Sequence, residues 1–199
     1  MPSPAESPLV ATFRSRAETL PGWLHAHVAR VVTESRRLAQ IHEVDPQRLQ
    51  AAAWGHDLYR HLDDDALRRE AAGLGIEEDL AERAAPILLH GPIAAERASR
   101  EWAVDDADVL EAIRFHTTGR PAMSDIALLL FLADKIEPEK LAADPGLTPV
   151  RDLADSHPDA AMLVFLERRI TTHLASGLVV HPLAVETRNW YLGRVGEGS

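Results

Sequence analysis

Apolar side chains recur along most of this chain at intervals of three and four, the spacing that lines one face of a helix. Leu24, Val28, Val31, Val32 and Leu38 keep it in a helix that Pro21 opens at its first turn and that ends near Ile41. Asp45 and Pro46 supply a cap and a first turn for the next helix, which carries Leu49, Ala52, Ala53 and Trp54 and runs to about Tyr59. Asp63 to Asp65 cap a shorter one ending at Gly73 or Gly75. The pattern then predicts one helix over Ile76 to Leu89, stopped by Gly91-Pro92, and another from Pro92 to about Trp102. Asp105 and Asp106 cap a helix bearing Val109, Leu110, Ile113 and Phe115, with Gly119 as its stop. Ser124 caps the segment from Ile126 to Ala133, which is apolar on every side and therefore expected in the core. Residues 138–150, with Pro138, Pro145, Gly146 and Pro149, read as a loop. Two helices at about 158–175 and 182–193 complete the chain. Residues 1–8, rich in proline and serine, read as a loose tail ahead of one domain over 9–199.

Composition agrees with an all-α fold. Ala, Leu, Arg and Glu dominate, and β-branched runs are sparse. A chain of 199 residues, 46% hydrophobic and 26% charged, builds one core without staples, and the absence of cysteine excludes a disulfide scaffold. No apolar run approaches the ~20 residues that span a bilayer, and MPSPAESPLV lacks a basic start and an apolar signal core. A cytoplasmic protein without membrane partners is expected. The net charge of −10 makes nucleic acid a poor partner and would repel any polyanion unless local cations reverse the field. A bound metal is one such reversal.

That makes the placement of the ten histidines informative. His27, His56-Asp57, His90, His116 and Asp134 each lie on or beside a strongly apolar helical segment, so the fold can bring them to one point. Asp134 follows the most apolar stretch of the chain, where a carboxylate must be paired, hydrogen-bonded or metal-bound. Imidazole and carboxylate donors without thiolates suit iron, manganese, zinc, cobalt or nickel. The set exceeds what one structural zinc needs and fits a catalytic site with open positions and one or two ions. A single His-Asp dipeptide is weak evidence, and a lone core histidine is the commoner case. Lys135, Arg120 and Arg60 add positive charge, against the plainer reading of solvated side chains. Thr117, Thr118 and the Gly119 turn offer hydroxyl and N–H groups to phosphate, against the plainer reading of a helix stop. His25 sits one residue off the inward face of its helix, and His42, His61, His157, His173 and His181 read as surface residues.

The order His, His-Asp, distant Asp resembles the HD superfamily of metal-dependent phosphohydrolases. The strings LLHGPIAAE at 88–96, AIRFHTTGRPAMS at 112–124 and FLADKIEP at 131–138 are more specific. They resemble the YqeK-type HD proteins, the symmetrical bis(5'-nucleosyl)-tetraphosphatases, over residues 20 to 192. The resemblance implies an HD-type helical bundle, a homodimer, and hydrolysis of diadenosine tetraphosphate to two ADP. It implies that His27, His56, Asp57 and Asp134 hold iron, for which manganese or cobalt would satisfy the same donors. His90 and His116 would face the substrate phosphates or a second metal and handle protons. Gly91, Pro92, Ile93 and the segment near Lys140 would lie against the nucleotide. With these, Thr117, Thr118 and Arg120 would bind phosphate, and Lys135 would steady developing charge.

Two positions depart from the family pattern. Leu24 stands where the family has an arginine, and Arg60 where it has a lysine. Arginine keeps the charge but presents a planar fork. Three other readings share the ligand set. They are an HD phosphohydrolase acting on a nucleoside monophosphate or signalling nucleotide, a di-iron oxygenase, and a non-catalytic nucleotide-sensing domain.

Overall fold

Prolines and acidic or hydroxyl caps punctuate the chain into helices, as a computed structural model describing residues 6–197 shows. Twelve α-helices and no strands occur among the described residues. In order they are α1 (Pro8–Ala17), α2 (Gly22–Ile41), α3 (Pro46–Gly55), α4 (Asp64–Leu74), α5 (Leu80–Ala84) and α6 (His90–Glu101). There follow α7 (Ala107–Phe115), α8 (Asp125–Ile136), α9 (Pro138–Ala143), α10 (Thr148–Ala154), α11 (Pro158–Ala175) and α12 (Pro182–Glu197). The side chains of Asp45, Asp63, Asp106 and Ser124 accept backbone N–H groups at the starts of α3, α4, α7 and α8. These are the caps expected from sequence, and each satisfies a donor that the first turn leaves unpaired.

α8 is the axis of the bundle. Every residue from Ile126 to Ala133 is buried, and α8 packs against α2, α3, α7, α10 and α11. Its final turn therefore delivers Asp134 into the middle of the molecule. A smaller core of Leu67, Ala71, Leu74, Leu89 and Ile93 sits beneath α4. No helix among the described residues is long and apolar enough to cross a membrane.

Three elements differ from expectation, and proline explains two. Residues 76–89 do not form one helix. Pro86 disfavours helical geometry at Ala85, which adopts φ −141° and ψ 80°, so α5 ends and a 3₁₀ turn over Pro86–Leu89 follows. Gly91-Pro92 then does not stop a helix but lies in the first turn of α6, where a missing N–H costs nothing. The expected loop at 138–150 is instead α9, a 3₁₀ turn at Pro145–Leu147 and α10, each with a proline in its first turn. The third difference is at the start. Residues 1–5 of the expected tail lie outside the described residues, but Ser7 caps α1 and Pro8 begins it. Val10, Phe13 and Ala17 then bury one stripe, and α1 packs against α3.

Candidate metal centre and substrate cleft

Five helix ends or faces converge on one point. α2 carries His27 on its core side, among Leu24, Val28 and Val31. His56 is the residue at which α3 ends, and Asp57 lies in the turn after it. Gly55 lets α3 end there, since a Cβ on it would stand 2.7 Å from Ile113 and Phe13 atoms. His90 begins α6 and His116 ends α7. Gly91 permits this pairing, because its Cβ would lie 2.9 Å from the Ile113 carbonyl oxygen. Asp134 is in the last turn of α8. All six side chains are buried, Asp57 to 1% exposure and Asp134 to 3%.

Backbone carbonyls fix the tautomers. His56 Nδ1 donates to the Ala53 oxygen at 2.7 Å, His116 Nδ1 to the Ile113 oxygen at 2.8 Å, and His90 Nδ1 to the Ile87 oxygen. A carbonyl can only accept, so each Nδ1 carries a proton, and in the neutral ring Nε2 is then the lone pair. The three bonds are alike because each histidine follows a helical turn and reaches the carbonyl three residues back. Those lone pairs point at one another and at the carboxylates. His27 Nε2 lies 3.1 Å from Asp134 Oδ1 and 3.5 Å from Asp57 Oδ2, which is also 3.5 Å from His56 Nε2. On the other side, Asp57 Oδ1 lies 3.1 Å from His90 Nε2 and 3.4 Å from His116 Nε2, and those two nitrogens are 2.9 Å apart. His27 Nε2 and His56 Nε2 have no hydrogen-bond partner.

Burial in apolar surroundings pushes the His56 imidazole down to about 3, against the pull of Asp57, and burial lowers His116 as well. Buried imidazole nitrogens and carboxylate oxygens that face one another at these distances need a cation between them. The chemistry of the donors fits a divalent metal. Asp57, with one oxygen toward each half of the cluster, has the disposition of a bridge.

Positive side chains stand next to the donors. Burial alone would raise Asp134, but the ammonium groups of Lys135 and Lys140, each 2.5 Å from one of its oxygens, hold its carboxyl well below the usual range. Burial brings Lys135 down to about 8 despite Asp134, and its Nζ also donates to the His116 oxygen at 3.1 Å. Arg60 donates to Asp57 Oδ2 at 2.8 Å.

Above the donors opens a cleft of about 430 Å³. Its walls carry five cationic side chains, Arg60, Lys135, Lys140, Arg168 and Arg169, against the three carboxylates Asp57, Asp134 and Asp144. The cleft thus reverses the sign of the whole chain. Arg168 is paired with Asp144, whereas Arg169 is exposed and has no carboxylate partner among the described residues. Beside the cleft lies an apolar chamber of about 190 Å³, walled in part by Ile170, Leu178 and Val179. Ile87, Leu88, Thr117, Phe165 and Arg169 line both spaces.

Several residues expected at the substrate are elsewhere. Gly91 packs against the end of α7, Ile93 is in the small core, and Pro92 faces a separate surface hollow with Glu96 and Arg100. None of the three lines the cleft, because α6 turns them toward its packing partners. Arg120 is tied to Glu111 at 2.8 Å and lies over the Phe115 ring. Thr118 lines the chamber and donates to the Gly119 oxygen. Lys140 and Thr117 do reach the cleft. Leu24, the departure from the family arginine, is fully buried in the core. The α11 residues Phe165, Arg168, Arg169 and Thr172 went unnoticed in the sequence, where the Arg168-Arg169 pair on an amphipathic helix was the available signal.

A second cluster joins Asp79, Glu82 and His181. His181 was expected as a plain surface residue, yet its Nε2 lies 3.5 Å from Asp79 Oδ2 and 3.9 Å from Glu82 Oε1. Its Nδ1 accepts the Leu183 N–H at 3.1 Å, so the proton sits on Nε2 and points at the carboxylates. The cluster sets an imidazole N–H opposite two carboxylates where α5 meets the start of α12.

Comparison with known proteins identifies the family and the fold. The HD domain family matches residues 24–139. A symmetrical bis(5'-nucleosyl)-tetraphosphatase of Halalkalibacterium halodurans is 33% identical over 168 residues, covering 84% of this chain and 88% of that protein. The enzyme of the same name from Bacillus subtilis is 30% identical, covering 83% and 88%. A crystal structure from Clostridium acetobutylicum, described as a predicted HD superfamily hydrolase involved in NAD metabolism, superposes with a TM-score of 0.84. It is 28% identical, and the match covers 94% of this chain and 96% of that one.

Proposed function

The chain belongs to the HD domain family and is a hydrolase of that family, and from this premise we propose that it cleaves diadenosine tetraphosphate symmetrically into two ADP. The observation that carries the reading is the cleft. In a chain of net charge −10, five cations surround a buried donor cluster, as a polyphosphate requires. The relatives' names supply the substrate.

His27, His56, Asp57 and Asp134 would hold the metal, iron by family resemblance. The opposite oxygen of Asp57, with His90 and His116, would hold a second ion. A divalent ion at these donors supplies positive charge to the phosphoryl oxygens and lowers the pKa of the attacking water. The protein's own groups do the rest. With a single ion bound at the first set of donors, His116, favoured in its neutral form by burial, has its Nε2 lone pair available to take a proton. Lys135, Lys140 and Arg169 neutralise charge as the central P–O–P bridge breaks. The water oxygen ends on one ADP and the bridging oxygen on the other. The apolar chamber takes the flat body of one adenine, with Phe165 at its mouth.

Product analysis tests this directly. Protein loaded with iron, manganese or cobalt and incubated with diadenosine tetraphosphate yields ADP as its only nucleotide product. AMP plus ATP would show a different scissile bond, and turnover of nucleoside monophosphates alone would replace the substrate.

A further inference from the structure

Three of the four histidines in the cluster are held by backbone carbonyls of their own helical turns, and His27 is not. It lies in the middle of α2, where the carbonyls are committed to the helix. Its Nδ1 faces Glu137 Oε1 at 3.3 Å instead. Glu137 is 1% exposed, a costly place for a carboxylate without partners. It has three donors besides its own position at the start of α9. Its Oε2 accepts Arg30 Nε at 2.7 Å and the Glu139 N–H at 2.9 Å, and Arg30 Nη2 stands 3.5 Å from Oε1. Each of these partners is a donor, so the carboxylate acts as an acceptor at every contact the structure gives it.

We propose that Glu137 is a positioning residue for the metal centre. Locked by Arg30 and by the Glu139 N–H, it holds His27 as the Nδ1–H tautomer and aims Nε2 at the ion. The proposal rests on the reading of His27 as a metal ligand. Outer partners of this kind orient the imidazole and raise its basicity, and their loss typically weakens metal binding ~10–100-fold. Arg30 acts one step further out. It is bonded to Glu137 and to the exposed Glu139, so the lock is reached from the surface of α2 rather than from the cleft.

The test is metal affinity, measured with manganese or cobalt by competition against a chromophoric chelator, without reference to turnover. Glu137→Gln keeps an acceptor oxygen for the Glu139 N–H but loses the charge, and it weakens binding about tenfold. Glu137→Ala weakens it further, and Arg30→Gln weakens it less. Glu139→Gln, which alters only the exposed outer partner, leaves affinity within about twofold of wild type. Helical circular dichroism of each metal-free variant verifies the fold, and Glu137→Gln carries the test if Glu137→Ala does not fold. Equal affinity in wild type and Glu137→Gln overturns this inference and leaves the proposed function standing. Equal affinity in wild type and His27→Ala overturns the ligand assignment on which both rest.

Discussion

Two clusters of imidazole and carboxylate in this molecule are wired in opposite senses. In the buried one, carbonyls and Glu137 face the Nδ1 atoms of four histidines, so in each neutral ring Nε2 is the lone pair. In the half-buried one, His181 spends its Nδ1 lone pair on the Leu183 N–H, so Nε2 arrives carrying a proton. Both contain the donor types that bind metals, and both satisfy a simple proximity criterion. The difference is made by the backbone behind each ring. Acceptors facing acceptors require a cation, whereas a donor facing acceptors does not.

The comparison breaks most visibly at Asp57. Asp57→Ala abolishes turnover and lowers metal stoichiometry while helical circular dichroism stays intact; retained turnover would sink the assignment of the buried cluster. The second test uses acid. His56 has a folded pKa of about 3 against an ordinary value near 6.5, and His116 is lowered too. Between those values the unfolded chain binds protons that the folded chain refuses. The stability of the metal-free protein thus declines as pH falls from about 6.5, by up to ~2 kcal/mol from His56 between pH 7 and pH 5, with His116 acting in the same direction. Asp134, held low, adds its share in more acid solution. Urea midpoints at the two pH values measure this, and an unchanged midpoint counts against buried neutral imidazoles.

Smaller effects sharpen the contrast. Arg169→Ala removes the unpaired cleft arginine and raises KM for the dinucleotide about tenfold with little change in helix content, by the usual strength of a charged hydrogen bond. A KM unchanged by the substitution would remove Arg169 from the substrate path. His181→Ala loses the partner of the Leu183 N–H and lowers stability by about 1 kcal/mol, as loss of a helix cap does, with metal stoichiometry unaltered. A lost ion in that variant would erase the distinction between the two clusters.

Much of this was legible in the residues. The caps at Asp45, Asp63, Asp106 and Ser124, the buried α8 segment and the six converging donors follow from local pattern, because capping and helical period act within a few residues. The misreadings share a cause. Pro86 lies unmarked inside the one helix expected over 76–89, while the Gly91-Pro92 pair, Pro138 and Pro145 read as breaks; proline fits the first turn of a helix as well as it ends the previous one. Which role it plays depends on what the next turn packs against. Gly91 and Ile93 carried a family motif but serve the packing of α6, and Arg120 found Glu111 nine residues away.

By itself, then, the sequence determined the helices, the burial of Asp134, the donor types and, through resemblance, the family. Each depends on interactions within a helical turn or on the order of motifs. Only the tertiary structure decided that the charge of the cleft is positive, that α11 supplies its arginines, that an apolar chamber adjoins it, and which nitrogen of each histidine faces inward. Those properties arise between segments far apart in the chain. His27 and Glu137 are 110 residues apart, and the bond that orients the ring exists only once α2 and the start of α9 have packed together.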